Sequence, residues 1–265
     1  MRQTTLSDTG FDKYSKKTRK ERFLDDMDKI IPWKELSEAI EPFYPKPKGA
    51  GRRPIGIERM LRIHFLQHWF NLSDPAAEEA LYDSLAMRRF VGIDLGREPA
   101  PDETTICKFR HLMERHNLGD RLFGLVNVYL AENGLKVNRG TIVDASIIDA
   151  PSSTKNRKKE RDPEMHSTRK GRQWYFGMKA HIGVDSRSKL TERERSKNRT
   201  KSLVRAKVEH QFGIIKRQFG FTKVRYRGLA KNAHRLFVVC ALSNRVMARR
   251  ALLKRSRLKL QATCA

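Results

Sequence analysis

The chain of 265 residues carries 56 Lys and Arg against 30 Asp and Glu, a formal net charge of +26, with 38% hydrophobic side chains. This supports one or two domains with a packed core under a densely ionised surface, and the excess points to a polyanion partner, of which nucleic acid is the commonest. The longest apolar run, Leu236–Leu242, is far short of a membrane span, and Cys107, Cys240 and Cys264 form no CxxC pair, which argues against a disulfide framework or a zinc ribbon.

The charge is lopsided. Residues 1–150 are nearly neutral at +1, residues 151–185 carry +5 and residues 186–265 carry +20. A surface made basic only for solubility would not be so uneven, and nucleic-acid contact is the expectation. No charged-then-apolar leader opens the sequence, so the expected compartment is the cytoplasm, with nucleoid association.

In chain order, a helical stretch is predicted over Phe23–Ile40, followed by a break at Pro42, Pro45 and Pro47 and a positive connector over Gly49–Pro54. Ile57, Met60, Leu61 and His64 fall at helical spacing, and Trp69 and Phe70 close that run. Ser73-Asp74-Pro75 is expected to supply an N-cap and an N1 proline for a second helix over Ala76–Phe90. Asp102 caps a third, whose body Ile106–His116 is expected to project Lys108, Arg110, Arg115 and His116 outward. Two helices joined by a turn, the later one basic, outline a helix-turn-helix, although bundle helices give the same outline. A fourth helix runs over Leu118–Gly134.

From Thr141 the period becomes extended. Thr141–Ile148 and Trp174–Val184 read as two strands pairing antiparallel across a basic loop, Lys155–Gln173. In the second strand Trp174, Phe176, Met178, Ala180, Ile182 and Val184 share one face, and Tyr175, Lys179 and His181 the other. Asp144 interrupts the first strand on the face of Ile142, Ser146 and Ile148. It needs a basic partner, a metal or a watery rim.

Leu203–Phe221 is a predicted helix in which Val204, Val208, Phe212, Ile215 and Phe219 fall within about 80° of arc. Arg205, Glu209 and Lys216 cluster within about 40° on the shoulder of that stripe. A solvated helix with an Arg205–Glu209 pair would look similar, but Glu209 is nearly alone among cations. Aromatic content of 8% gives no special support for a single-strand binder built on stacking.

IVDASIIDAP, KAHIGVDS, PDETTICKFR and the run VRAKVEHQFGIIKRQFGFTKVRYRGLAKN together resemble bacterial insertion-sequence transposases of the insertion-sequence-five type. The resemblance implies an α+β chain, with a helical N-terminal DNA-binding region over residues 1–135. An RNase H-like DDE domain with basic C-terminal helices would follow over residues 136–265. By the same resemblance, Asp144 corresponds to the first catalytic Asp and Glu209 to the final Glu, both as ligands of Mg2+ or Mn2+. Arg205 and Lys216 match basic signature positions, and Ser202 stands where the family has Tyr. Arg217, Lys223, Arg225 and Arg227 join Arg205, Lys216, Lys108 and Arg110 as candidate contacts to double-stranded DNA at element ends.

The second catalytic Asp has no counterpart. Only 24 positions separate Asp185 from Glu209, without an apolar strand between them. The join near Arg187–Leu190 therefore reads as an internal deletion, so impaired catalysis is expected. A non-catalytic protein that occupies element ends and competes with intact transposase is the alternative. Homo-oligomers or the intact enzyme are the implied protein partners.

Overall fold

The computed structural model describes residues 16–46, 53–135, 141–155, 157, 159–185 and 209–263. Helix α1, Arg19–Ile30, is capped by the Thr18 side chain, which accepts from the Glu21 N–H, and it buries Leu24, Met27 and Ile30. Pro32 has no N–H to donate and forces Ile31 into an extended conformation, so a new helix, α2, starts at Trp33 and runs to Ile40. The single helix expected over Phe23–Ile40 is thus two.

Helix α3, Ile57–Trp69, is buried along its whole length from Met60, polar residues included, and forms the axis of the helical part. Ser73 caps α4, Asp74–Asp83, with Pro75 in the first turn. The expected continuation to Phe90 is also corrected. Ser84 is extended, ends α4 and caps α5, Leu85–Val91, through its side chain. Asp102 accepts from the Thr105 N–H at the start of α6, Glu103–Arg115, and α7 spans Leu118–Glu132.

Strands β1, Thr141–Asp149, β2, His166–Lys170, and β3, Gln173–Asp185, form a three-stranded antiparallel sheet in the order β1-β3-β2. The β1–β3 pairing matches the expected one, running from Thr141 opposite Asp185 to Asp149 opposite Gly177. The basic segment read as a loop contains β2, which turns through Gly171 and Arg172 into β3. Gly171 takes φ +62, a conformation glycine adopts without penalty. On one face Ile148, Met178, Ala180 and Ile182 are buried.

Residues 209–213 are α-helical and Ile214–Gln218 π-helical, together α8. The chain then lies beside the end of β1, where the Asp149 N–H donates to the Thr222 carbonyl and the Val224 N–H to the Asp149 carbonyl. The long α9, Leu229–Thr263, closes the described chain. Although it lies beyond the boundary expected at residues 135–136, α9 packs against α7, α1 and α3, and helices and sheet share one apolar core. The class is α+β. Among the described residues no helix is long and apolar enough to cross a membrane.

The α7–α9 contact is close. A Cβ on Gly119 would sit 2.8 Å from the His234 ring and 2.9 Å from the His234 carbonyl oxygen. Gly119→Ala is expected to lower unfolding free energy by about 1–3 kcal/mol through overpacking, read as a shifted urea midpoint with unchanged slope.

Candidate nucleic-acid interface

The N-terminal candidates separate sharply. Lys108 is exposed on α6, as are Arg115 and His116. Arg110 is not, and its expected outward projection is corrected. Its Nη2 donates to Asp74 Oδ2 at 2.9 Å and its Nη1 to Glu114 Oε1 at 3.0 Å, with the guanidinium 4.6 Å from the Tyr226 ring centre. Burial pushes the Asp74 carboxyl upward, but the hydrogen bonds from Arg110 and Gln67 outweigh it and the net shift is downward.

Beside this pair lies a buried histidine group. His64 and His68, one turn apart on α3, meet at 3.2 Å between their Nε2 atoms, and the His234 ring from α9 lies 6.3 Å from that of His64. Burial lowers His64 to about 3, with His234 and Arg110 adding to the effect. It lowers His234 to about 4, again with Arg110 contributing. These rings are core groups kept neutral among arginines.

The C-terminal candidates also divide. Arg225 donates to the Asn71 and Leu72 carbonyls and to Asn71 Oδ1, which ties the strand-like segment after α8 to the end of α3. Arg217, Lys223 and Arg227 are exposed. Arg227 makes a long contact, 3.5 Å, to the Arg161 carbonyl. Lys216 is half-buried and donates from Nζ to the Ile147 carbonyl of β1 at 2.7 Å. Burial lowers its pKa, Lys170 adds to this and Asp149 opposes it. Asp144 lies in β1 opposite Ile182, and Glu209 is exposed at the start of the described part of α8. Arg205, like the proposed join near Arg187–Leu190, lies outside the described residues. The π turn over Ile214–Gln218 changes the rotation per residue, so the shoulder expected for Glu209 and Lys216 does not follow the regular helical phase. Phe212, Ile215 and Phe219 of the predicted stripe are buried as expected.

An open concavity of about 390 Å³ lies over the sheet face opposite the core. Ala145, Ile147 and Asp149 of β1, Thr168, Arg169 and Lys170 of β2, Tyr175 and Lys179 of β3, and Lys216 line it. Four cations against one carboxylate make it a surface suited to phosphates. Sequence reasoning missed Arg169, Lys170 and Lys179. The one local signal was Gly171-Arg172, a two-residue spacing with glycine suited to a hairpin turn just before β3. Among the described residues no group of three His, Cys, Asp or Glu is placed to hold a metal ion.

Comparison with known families bears on both ends of the chain. A Transposase domain (DUF772) matches residues 12–112, and a Transposase DDE domain matches residues 187–245. Both ends are transposase-like. The first match spans α1 to most of α6, and the second includes Glu209, Lys216 and Arg225. No solved structure matches the chain.

Two outcomes follow from the buried groups. Arg110→Ala takes the cation away from Asp74, which keeps its Gln67 hydrogen bond, and from Glu114, and is expected to cost about 3 kcal/mol of stability, whereas Lys108→Ala stays within about 0.5 kcal/mol, both read by urea unfolding. His64 and His234 are held below their ordinary 6.5, so the unfolded chain binds protons that the folded chain refuses. Stability is therefore full above about pH 6.5 and falls as the pH drops toward about 4. Unfolding midpoints between about pH 7 and pH 5 should decline, and less so in a His64→Gln, His234→Gln variant.

Proposed function

We propose that this chain is an insertion-element transposase of the insertion-sequence-five type that binds double-stranded element ends and is impaired in strand cleavage. The observation that carries the reading is Lys216. It lies within the DDE match and reaches the Ile147 carbonyl on β1, the strand that bears Asp144, beside a cationic concavity. An RNase H-like arrangement, with the first acid on a strand and the last on a helix docked near it, accounts for that contact. Helices α3 to α6 then belong to the end-recognition part, with Lys108 offered to DNA and Arg110 holding the helices together.

Asp144 and Glu209 are the carboxylates assigned to Mg2+, or to Mn2+ in its place. The ions, when bound, would activate an attacking oxygen and stabilise the leaving 3′ oxygen of a phosphodiester. Three carboxylates ordinarily offset the repulsion between two dications, and the sequence between Asp185 and Glu209 offers no apolar, strand-like run from which a third would be expected. A protein that holds element ends without cutting them would compete with intact transposase, alone or as a mixed oligomer.

The test combines binding and cleavage on a labelled duplex carrying the element ends. The log of the binding constant is expected to fall with log salt by about 0.9 per phosphate contacted, without nicking in magnesium or manganese. A flat salt dependence would overturn the binding assignment. Nicking that disappears in Asp144→Ala would overturn the impairment and direct attention to Asp185, Glu192 and Glu194 as substitute acids.

A further inference from the structure

The apolar face of β3 runs past the body that covers it. Met178, Ala180 and Ile182 are buried on that face, and Phe176 is half-buried with the Arg161 guanidinium 5.5 Å from its ring centre. Trp174, next along the same face, is 66% exposed. The reason is register. On the N-terminal side of Gly177, β3 has no partner in β1 and its register continues with β2, the Ala150 N–H still donating to the Phe176 carbonyl, so Trp174 stands opposite Arg169 near the tip of the β2–β3 hairpin. Lys170 and Arg172 are exposed at the same tip, and Arg169 donates to the Gly171 carbonyl across the turn.

Trp174 is the most exposed large hydrophobic side chain among the described residues, and its ring is presented flat-sided to solvent beside Phe176 rather than alone. Trp174 and Phe176 form the aromatic wall of a shallow concavity of about 400 Å³, whose rim includes Arg161 and Lys223, with Asp149 as its carboxylate. A flat apolar surface ringed by cations complements a nucleotide, whose base offers a π face and whose phosphate offers a negative charge. A fully paired duplex keeps its base faces stacked inside the helix and cannot use such a surface.

We propose that Trp174 is a stacking platform for an unpaired base, with Arg161, Arg172 and Lys223 receiving the adjoining phosphates. The hairpin thereby selects nucleic acid that is locally unpaired over fully paired duplex. This rests on the assignment of the chain as a nucleic-acid binder and adds the form of strand that it prefers.

The chain's fluorescence makes the platform observable. Trp33 and Trp69 are 9% and 3% exposed, so quenching by an added oligonucleotide reports on Trp174. The full chain is titrated with a duplex carrying a short run of unpaired thymidines and with its fully paired counterpart. Quenching by the first and much weaker quenching by the second is the expected result. Trp174→Ala should weaken binding of the unpaired form about tenfold and leave paired-duplex affinity within about twofold. Trp174→Phe should keep most of the preference, and Arg172→Glu should weaken binding of the unpaired form. Because Trp174 is exposed, these variants should retain the parent circular dichroism spectrum. Equal affinity for the two duplexes, or a preference that survives in Trp174→Ala, overturns the platform while leaving duplex binding intact. Failure to bind either duplex overturns both the platform and the proposed function.

Discussion

The buried Arg110 guanidinium is the tie on which the helical arrangement depends. It joins the first turn of α4, through Asp74, to its own helix, through Glu114, and lies against Tyr226 from the segment preceding α9. A cation taken from water is costly unless its hydrogen bonds are met, and here both partners are anions. Gln67 of α3 donates to the same Asp74, so one carboxylate draws α3, α4 and α6 together. Burial is the first reason that the histidines stay neutral, and the arginines beside them, Arg110 for His64 and Arg235 and Arg225 for His68, add to it.

The same accounting explains how a basic C-terminal segment also serves as core. Arg235 reaches Asn71 Oδ1 at 2.8 Å and is pushed down to about 10 by burial and by Arg225. Arg245 donates to the Ile30 carbonyl at 2.9 Å and lies 4.1 Å from the Tyr129 ring centre, which fastens α9 to α1 and α7. These arginines are consumed in holding α9 to the N-terminal helices. The cations left for a polyanion are those of the exposed rim, among them Arg217, Lys223 and Arg227, together with the sheet cations Arg169, Lys170 and Lys179. The net charge of the segment therefore overstates its phosphate-binding capacity.

The sheet, in turn, is anchored from one end. Among the described residues the edge of β1 away from β3 pairs only at Asp149, with the segment after α8, and Lys216 caps the neighbouring Ile147 carbonyl. An edge so lightly paired is open to further strand addition. At the opposite side β2 and the end of β3 project as a basic hairpin. Both functional assignments draw on this geometry, the concavity on the outer face and the uncovered aromatic wall on the inner one.

Helix starts were legible in the sequence because capping is local. The Ser73-Asp74-Pro75 and Asp102 signals act within three or four positions of themselves, and both mark helix starts, with Pro75 one position further into its helix than expected. The alternation of β3 and its antiparallel pairing with β1 were equally legible, since a period of two needs only near neighbours. Pro32 and Ser84 were visible too, but the apolar spacing that ran through them outweighed them, and two helices became four. What the sequence could not contain was partner identity at a distance. Arg110 looks like a surface cation until Asp74, thirty-six positions away, is folded against it. The polar strand His166–Lys170 lacks alternation because it has no core to face, and only pairing with β3 makes it a strand. Trp174 reads as the first residue of a buried face, and the register of β1 against β3 leaves it in solvent. Composition, caps and periodicity thus determined which elements form and that the chain is basic. Only the tertiary structure decided which cations remain free and which aromatic stays uncovered, because burial depends on the elements that happen to cover a residue.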